Sequence, residues 1–153
     1  MPQSEDVFRV SSPAFDEGAA IPARLTADGA DVSPELWIEN VPEGTVSLAL
    51  IMDDPDAPMG TWVHWVVWNL PGDTAVIPEG TLPEEAVTGR NSWGRTGYGG
   101  PSPPSGTHRY FFKVFALDTT LDLASDADKA TLEKAIEGHV LGKAVLMGRY
   151  SRP

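Results

Sequence analysis

The chain contains no cysteine and is poor in basic residues. With 0 cysteines among 153 residues, disulfide bonds and cysteine-ligated metal sites are excluded. The 22 aspartate and glutamate residues outnumber the 11 lysine and arginine residues, which gives a formal net charge of −11. So acidic a chain is a poor general partner for nucleic acid or for an anionic membrane surface, although a local positive site is compatible with it.

Long apolar runs are also missing from the sequence. No run approaches the roughly 18 apolar residues of a membrane-spanning helix. The acidic segment 1–6 has no apolar stretch of the kind that a secretory signal carries. We therefore expect a cytoplasmic protein without integral membrane association. A hydrophobic content of 41% over 153 residues predicts a single domain, 1–153, with a sizeable core.

Strand signals dominate what is present. The 15 glycines and 14 prolines separate short segments, a pattern typical of many turns and short strands. Four apolar segments predict strands: Leu36–Ile38, Val46–Met52, Trp62–Leu70 and Tyr110–Leu117. The segment Trp62–Leu70 is apolar on both faces, which predicts a central position in a sheet.

One helix is predicted near the C-terminus. Leu132, Ala135 and Ile136 have helical spacing, Ser125 or Asp126 can cap the start, and Gly138 can end it. The segment that follows, 139–150, is compatible with helix or strand, and we favour a strand. The sequence thus predicts a mainly β protein, an antiparallel β-sandwich with a short helix in the C-terminal region.

Polar residues interrupt the apolar rows where strands are expected to end. Asp54 follows Leu48, Leu50 and Met52 at alternate positions, and His108 precedes Tyr110 on one face of another strand. If the strands are neighbours, these polar residues and His64 converge at one mouth of the sandwich.

The same alternation predicts the direction of His64. It places the imidazole on the face that carries Trp62, Val66 and Trp68. A histidine within an apolar strand can equally be a hydrogen-bonded core residue, and only a second histidine nearby argues for a site. His139 belongs to neither polar cluster, so we interpret it as structural.

A cationic window overlaps a glycine-rich loop. Residues 86–117 contain no aspartate or glutamate but contain Arg90, Arg95, Arg109 and Lys113. The loop 97–101 has glycines whose backbone N–H groups can approach a ligand. Backbone donors, two imidazoles and a tyrosine hydroxyl together suit a phosphate or a carboxylate. The alternative is that Arg90 and Arg95 pair with the acidic surface.

The segments that carry these residues resemble one family. Leu48–Pro58 with His64, and Gly106–Tyr110, are similar to the two signature regions of the phosphatidylethanolamine-binding proteins, the Raf-kinase-inhibitor-protein group. Further likeness to the bacterial and archaeal branch lies in 12–15, 28–34, 94–101 and 137–141. The interval between Pro58 and His64 and the glycine loop are shorter than in eukaryotic members.

The resemblance implies a β-sandwich with a small anion-binding pocket at one edge. It also implies a homodimer, which occurs in this branch, and it transfers no kinase-binding function. The implied ligand-binding residues are Asp54, Pro58, Trp62, His64, Gly99, Gly100, Pro101, His108 and Tyr110.

Taken together, the residues and the resemblance favour a pocket protein that binds a small phosphorylated or carboxylated anion without catalysis or cofactor. No Gly-x-Ser-x-Gly nucleophile motif is present. A protein-interaction inhibitor of a kinase or serine protease is one alternative, by analogy alone. A metal-dependent or hydrolytic enzyme that uses His64, His108 and Asp54 is another, although the cationic window disfavours a bound metal.

Overall fold

Two antiparallel sheets pack face to face around an apolar layer. The structure is a computed structural model and describes residues 7–152; the segment 1–6, where the sequence predicts no secretory signal, lies outside the described residues. The elements are β1 (Arg9–Ser11), a 3-10 helix (Ala23–Leu25), β2 (Leu36–Glu39), β3 (Ser47–Asp54), β4 (Trp62–Pro71), β5 (Val76–Ile77), β6 (Val87–Thr88), β7 (Thr107–Leu117), α1 (Lys129–Ile136) and β8 (Val140–Ser151).

The sheets are unequal in size. One has three strands in the order β1-β2-β5, and the other has five in the order β6-β4-β3-β7-β8. Residues from both fill the layer between them, among them Leu36 and Ile38 of β2 and Leu50 of β3. This arrangement confirms the predicted mainly β, antiparallel sandwich. Within residues 7–152, no helix is long and apolar enough to cross a membrane.

The central strand β3 is covered on both of its faces. Leu48, Leu50 and Met52 point into the layer between the sheets, whereas Ala49 and Ile51 point to a second apolar cluster with α1. All eight residues of β3 are buried. A strand covered on both sides has no need of polar alternation, which explains its nearly continuous apolar sequence.

The pairing of β4 with β3 contains an extra residue beside His64. Met52 pairs with Trp65, but the next residue of β3, Asp53, pairs with Val63. One additional residue in β4 reverses the alternation there, as a β-bulge does. The prediction that His64 shares a face with Val66 and Trp68 is therefore wrong, because those two residues point to the α1 side while His64 contacts the pocket residues.

The helix begins later than the sequence predicts. Asp128, rather than Ser125 or Asp126, is the N-cap, and its carboxylate accepts a hydrogen bond from the N–H of Thr131 at 3.0 Å. The predicted stop is confirmed, since Gly138 has a positive φ of 80° directly after the helix. The segment beyond it forms the strand β8, as favoured.

Candidate functional site

A cavity of about 310 Å³ opens at one end of the five-stranded sheet. The last residue of β3 and the first residues of β4 and β7 meet there, because antiparallel neighbours bring one strand's end beside the next strand's start. Five side chains from these strands line the cavity: Asp54, Trp62, His64, His108 and Tyr110. The predicted convergence of the polar strand ends is therefore observed.

Asp54 and His108 form a buried pair in this cavity. The Nδ1 atom of His108 lies 2.6 Å from Oδ2 of Asp54, and the two side chains are 8% and 4% exposed. A carboxylate accepts, so Nδ1 carries the proton and the ring orientation is set. The remaining nitrogen, Nε2, has no partner among the described residues and is not closed off from the cavity.

The turn 54–56, with the sequence Asp-Pro-Asp, fixes the orientation of the Asp54 carboxylate. The Oδ1 atom of Asp54 accepts the backbone N–H of Asp56 at 2.8 Å, so both oxygens of Asp54 are engaged. Asp56 in turn binds Arg109 through two side-chain hydrogen bonds of 2.9 and 2.8 Å. These bonds lower the pKa of Asp56 to about 2. The turn is thus tied to the first residues of β7.

His64 is oriented by the glycine loop. Its Nδ1 atom lies 2.6 Å from the carbonyl oxygen of Gly99, which can only accept, so Nδ1 carries a proton. Burial lowers the pKa of His64, and the loop carbonyl and the charge of Asp54 only partly oppose this effect. The ring meets Tyr110 edge to face, with centroids 5.2 Å apart.

Tyr110 lies between the two imidazoles at the floor of the cavity. Its hydroxyl is buried and has no hydrogen-bond partner among the described residues, although the backbone of Ser102 lies close by. Burial raises the pKa of Tyr110 well above its usual value, so the hydroxyl keeps its proton. A buried hydroxyl without a partner is costly. Its place in a cavity suggests that a ligand completes it.

Two tryptophans form an aromatic wall of the cavity, and the sequence analysis predicted only one of them. Trp62 was predicted, but Trp93 packs against it edge to face at 5.4 Å and against His64 at 5.0 Å. The side-chain oxygen of Asn91 accepts the N–H of Trp93 and forms a turn at this position. That Asx turn is a weak sequence signal, and nothing periodic marks an aromatic residue in a loop.

Small and apolar loop residues also line the cavity. Pro58 lines the cavity as predicted by position, beside Ala57 and the almost fully exposed Met59. The segment 102–104 also lines the cavity; it belongs to the Gly- and Pro-rich stretch 94–106, whose length favours a functional loop.

The glycine loop itself lies behind the cavity. The N–H of Gly99 donates to the carbonyl of His64 at 3.0 Å, and the N–H of Gly100 donates to Asp31 at 2.7 Å. Pro101 is buried, and its carbonyl accepts the N–H of Ala27. These N–H groups are used within the protein, so the loop orients His64 rather than presenting donors to a ligand.

Two of the four cations in the cationic window are paired with carboxylates, whereas Arg90 and Arg95 form no ion pair within the described residues. Arg109 pairs with Asp56, and Lys113 lies 3.0 Å from Asp53 on the other face of the sheet. Arg95 stacks over Trp93 at 5.8 Å, at the edge of the cavity. Among the described residues, no lysine or arginine lines the cavity. Any positive charge inside it must therefore come from an imidazolium.

The set of His64, His108 and Asp54 does not form a metal centre in this structure. No group of three or more His, Asp or Glu side chains within residues 7–152 has an arrangement that could hold a metal ion. The physical reason is visible in the hydrogen bonds, since both oxygens of Asp54 face donors of the protein.

The fold and the site define a class: a β-sandwich protein with a small cavity formed by two histidines, a tyrosine and a buried carboxylate at the strand ends. The sequence model of the family described as phosphatidylethanolamine-binding protein matches residues 11–151. The chain belongs to this phosphatidylethanolamine-binding protein family, as its sequence motifs predicted.

Relatives agree with this assignment. A UPF0098 protein of Methanothermobacter thermautotrophicus is 51% identical over 144 residues, which cover 91% of this chain and 95% of the relative. A phosphatidylethanolamine-binding protein homologue of Chlamydia trachomatis has a solved structure with a TM-score of 0.93 and 37% identity, over 97% of this chain and 99% of that one. YbcL of Escherichia coli, described as a member of the mammalian family, has a TM-score of 0.89 and 33% identity, over 95% and 99% of the two chains.

Proposed function

We propose that this protein binds a small anion, a phosphorylated or carboxylated group, in the cavity at the strand ends, and that it acts without catalysis as a ligand-binding or regulatory module. The observation that carries the proposal is the buried Tyr110 hydroxyl, which lacks a partner and lies between His64 and His108. A ligand oxygen at this place would accept the hydrogen bond that the protein leaves unmade.

His108 supplies the charge that an anion requires. When its second nitrogen is protonated, the ring is an imidazolium that faces Asp54 on one side and the cavity on the other. A charge-assisted hydrogen bond from Nε2–H to an oxyanion is stronger than a neutral one. Asp54 thus stabilises the cation that the anion meets.

The cavity walls suit an anion that carries a short apolar group. Trp62, Trp93 and Pro58 offer apolar surface, and the polar lining residues are few: Asp54, His64, Ser102, His108 and Tyr110. Such a division between a few placed polar groups and apolar walls is usual for small-molecule sites.

A calorimetric or NMR titration with inorganic phosphate and phosphoethanolamine tests the proposal. His108→Ala should weaken binding by roughly tenfold or more, the factor expected for the loss of a hydrogen bond to a charged group. His139→Ala is the matched control, since His139 pairs with Asp118 and does not line the cavity. Anion binding that survives His108→Ala unchanged would place the site elsewhere.

A divalent-metal titration belongs beside the anion titration. We expect no metal response at the histidines, because Asp54 already serves His108 and Asp56. Metal binding that shifts the signals of His64 and His108, with no response to either anion, would contradict the proposal and favour a metalloenzyme.

Three further properties belong to the same proposal. We propose one domain over the whole chain, a cytoplasmic location in keeping with the acidic composition, and a homodimer. Light scattering across a concentration series tests the last of these. Val140, Leu141 and Val145 are exposed apolar residues of the outer strand β8, and Val145→Lys should lower the fraction of dimer if that edge is the contact.

A further inference from the structure

The hydrogen bonding of His64 restricts which anions the cavity can accept, an inference that rests on the proposed function. Because the Gly99 carbonyl occupies the Nδ1–H, only Nε2 remains to meet a ligand. Nε2 has no partner among the described residues and is not closed off from the cavity. In a neutral imidazole this second nitrogen holds a lone pair and accepts a hydrogen bond.

We propose that the cavity selects a monoprotonated phosphate monoester, whose P–OH group donates to Nε2 of His64. Its other oxygens accept from Nε2–H of the His108 imidazolium and from the hydroxyl of Tyr110. The three protein groups then match the three free oxygens of a phosphate monoester, one as acceptor and two as donors. A fully ionised oxygen placed at His64 would face a lone pair and lose that hydrogen bond.

The surroundings of His64 oppose the alternative, in which the ring itself becomes the donor. Burial lowers the pKa of His64, which keeps Nε2 free of a proton. The titratable groups that face the ring are Asp54 and, behind it, Asp53 on β3, together with Tyr110 and, beyond it, His108 on β7. The backbone carbonyls of Gly99 and Gly100 and the two carboxylates act in the opposite direction but do not outweigh burial.

Three small probes test whether the ligand must carry an ionisable proton. Methyl phosphate has a second pKa of about 6, as phosphate monoesters do, so its monoanion is well populated at pH 6. Methyl sulfate and dimethyl phosphate also carry one negative charge and are of similar size, but neither has an ionisable O–H. The diester arm also separates a terminal phosphate from a phospholipid-type headgroup, which is a diester.

Isothermal titration of the full chain with the three probes at pH 6 is the test. We expect methyl phosphate to bind roughly tenfold or more tightly than either methyl sulfate or dimethyl phosphate, the factor for one hydrogen bond to a charged group. At pH 7.5, titrations in two buffers of different ionisation enthalpy should show proton uptake with methyl phosphate. His64→Leu removes the ring nitrogen and puts no acceptor in its place, so it should remove one proton from that uptake and bring the three probes close to equal affinity.

The outcomes separate this inference from the proposed function. Equal affinity for all three probes in the unaltered protein would overturn the inference and leave anion binding intact. A preference for methyl phosphate that persists in His64→Leu would also overturn it, because another group would then accept the hydrogen bond from the ligand's P–OH. Binding of none of the probes between pH 5.5 and pH 8 would end both proposals.

A measurement on the unaltered protein tests the same inference without depending on whether a variant folds. In protein labelled with ¹⁵N at histidine, the Nε2 resonance of His64 should report an unprotonated nitrogen at pH 7 and should shift on addition of methyl phosphate. A signal of a doubly protonated ring in the free protein would contradict the inference directly.

Discussion

Asp53 and Asp54 are consecutive residues of β3, but they have different roles. Both are buried, at 1% and 3% exposure, but the pleat of the strand sends them to different faces of the sheet. Asp53 is held by two lysines, with Lys113 at 3.0 Å and Lys129 at 2.9 Å. Asp54 is held by His108 and by a backbone N–H.

The difference lies in what each partner can still do. A lysine ends in one ammonium group, and both ammonium groups at Asp53 are directed at the carboxylate, which ties β7 and α1 to β3. A histidine has two ring nitrogens, so His108 can bind Asp54 with one and meet a ligand with the other. Two neighbouring buried carboxylates therefore have different roles: Asp53 stabilises the fold on one face of the sheet, and Asp54 orients a binding group on the other.

The largest effect is expected for Asp53→Asn. The change leaves two ammonium groups around a neutral amide, and breaking a buried ion pair in this way costs about 3 kcal/mol, the lower end of the range because both lysines are partly exposed. Urea unfolding at pH 7 measures this loss. The affinity for methyl phosphate should change less than twofold, and a larger change would mean that the two faces are coupled.

Asp54→Asn should reverse the pattern. An amide at this position can still accept the N–H of Asp56, but it no longer stabilises an imidazolium at His108. We expect the affinity for methyl phosphate to fall roughly tenfold or more, which is about 1.4 kcal/mol or more. Calorimetry reads the affinity, and urea unfolding of the same sample shows whether stability falls by less than in Asp53→Asn, as the comparison requires.

The pH dependence of stability tests whether the buried ring of His64 is neutral in the folded protein. Burial lowers the pKa of His64 in the folded state, so below pH 6.5 the unfolded chain binds more protons than the folded one. The free energy of unfolding should therefore fall as the pH drops from 7 to 5, with a slope of at most about 1.4 kcal/mol per pH unit from this group.

Urea unfolding at pH 5, 6 and 7 measures this slope, and His64→Gln should make it shallower. Asp56 does not contribute in that window. Its pKa is lowered to about 2 by Arg109, so the stability it supplies is lost only between about pH 4 and pH 2. A slope that is identical in the unaltered protein and in His64→Gln would show that His64 does not stay neutral in the folded state.

The smallest effect on stability is expected for Tyr110→Phe, and its sign is opposite to the others. Removing a buried hydroxyl without a partner should raise the free energy of unfolding by about 1 kcal/mol. The same change should weaken methyl phosphate binding, because the ligand loses a donor. Thermal or urea unfolding without ligand, followed by calorimetry, tests both signs; a loss of stability would mean that the hydroxyl is satisfied in the free protein.

The regular strands made much of the site predictable. In β7, simple alternation places His108 and Tyr110 on one face, as observed, and in β3 it places Asp54 after Leu50 and Met52. Alternation failed for His64, where the extra residue in β4 carries no sequence signature of its own. A bulge is decided by how two strands fit together, and a single strand's sequence does not report that fit.

The sequence also did not predict how the loop residues contribute to the site. Trp93 completes the aromatic wall, but its position depends on where the loop after β6 returns to the sheet. The glycine loop was recognised as part of the site, yet its role as an acceptor for His64 differs from the donor role that its glycines suggested.

By itself, the sequence determined the strands β2, β3, β4 and β7, the order of buried faces along β3 and β7, and the polar residues that close each apolar row, because these follow from local alternation of side chains. The short strands β1, β5 and β6 were not predicted. Only the tertiary structure decided the partner of each polar group. Asp54 and His108 are 54 residues apart, Asp53 and Lys129 are 76 apart, and His64 and Gly99 are 35 apart. Bonds over such distances depend on strand register and loop return, so the proton on His64, the isolation of Tyr110 and the separate duties of the two aspartates exist only in the assembled sandwich.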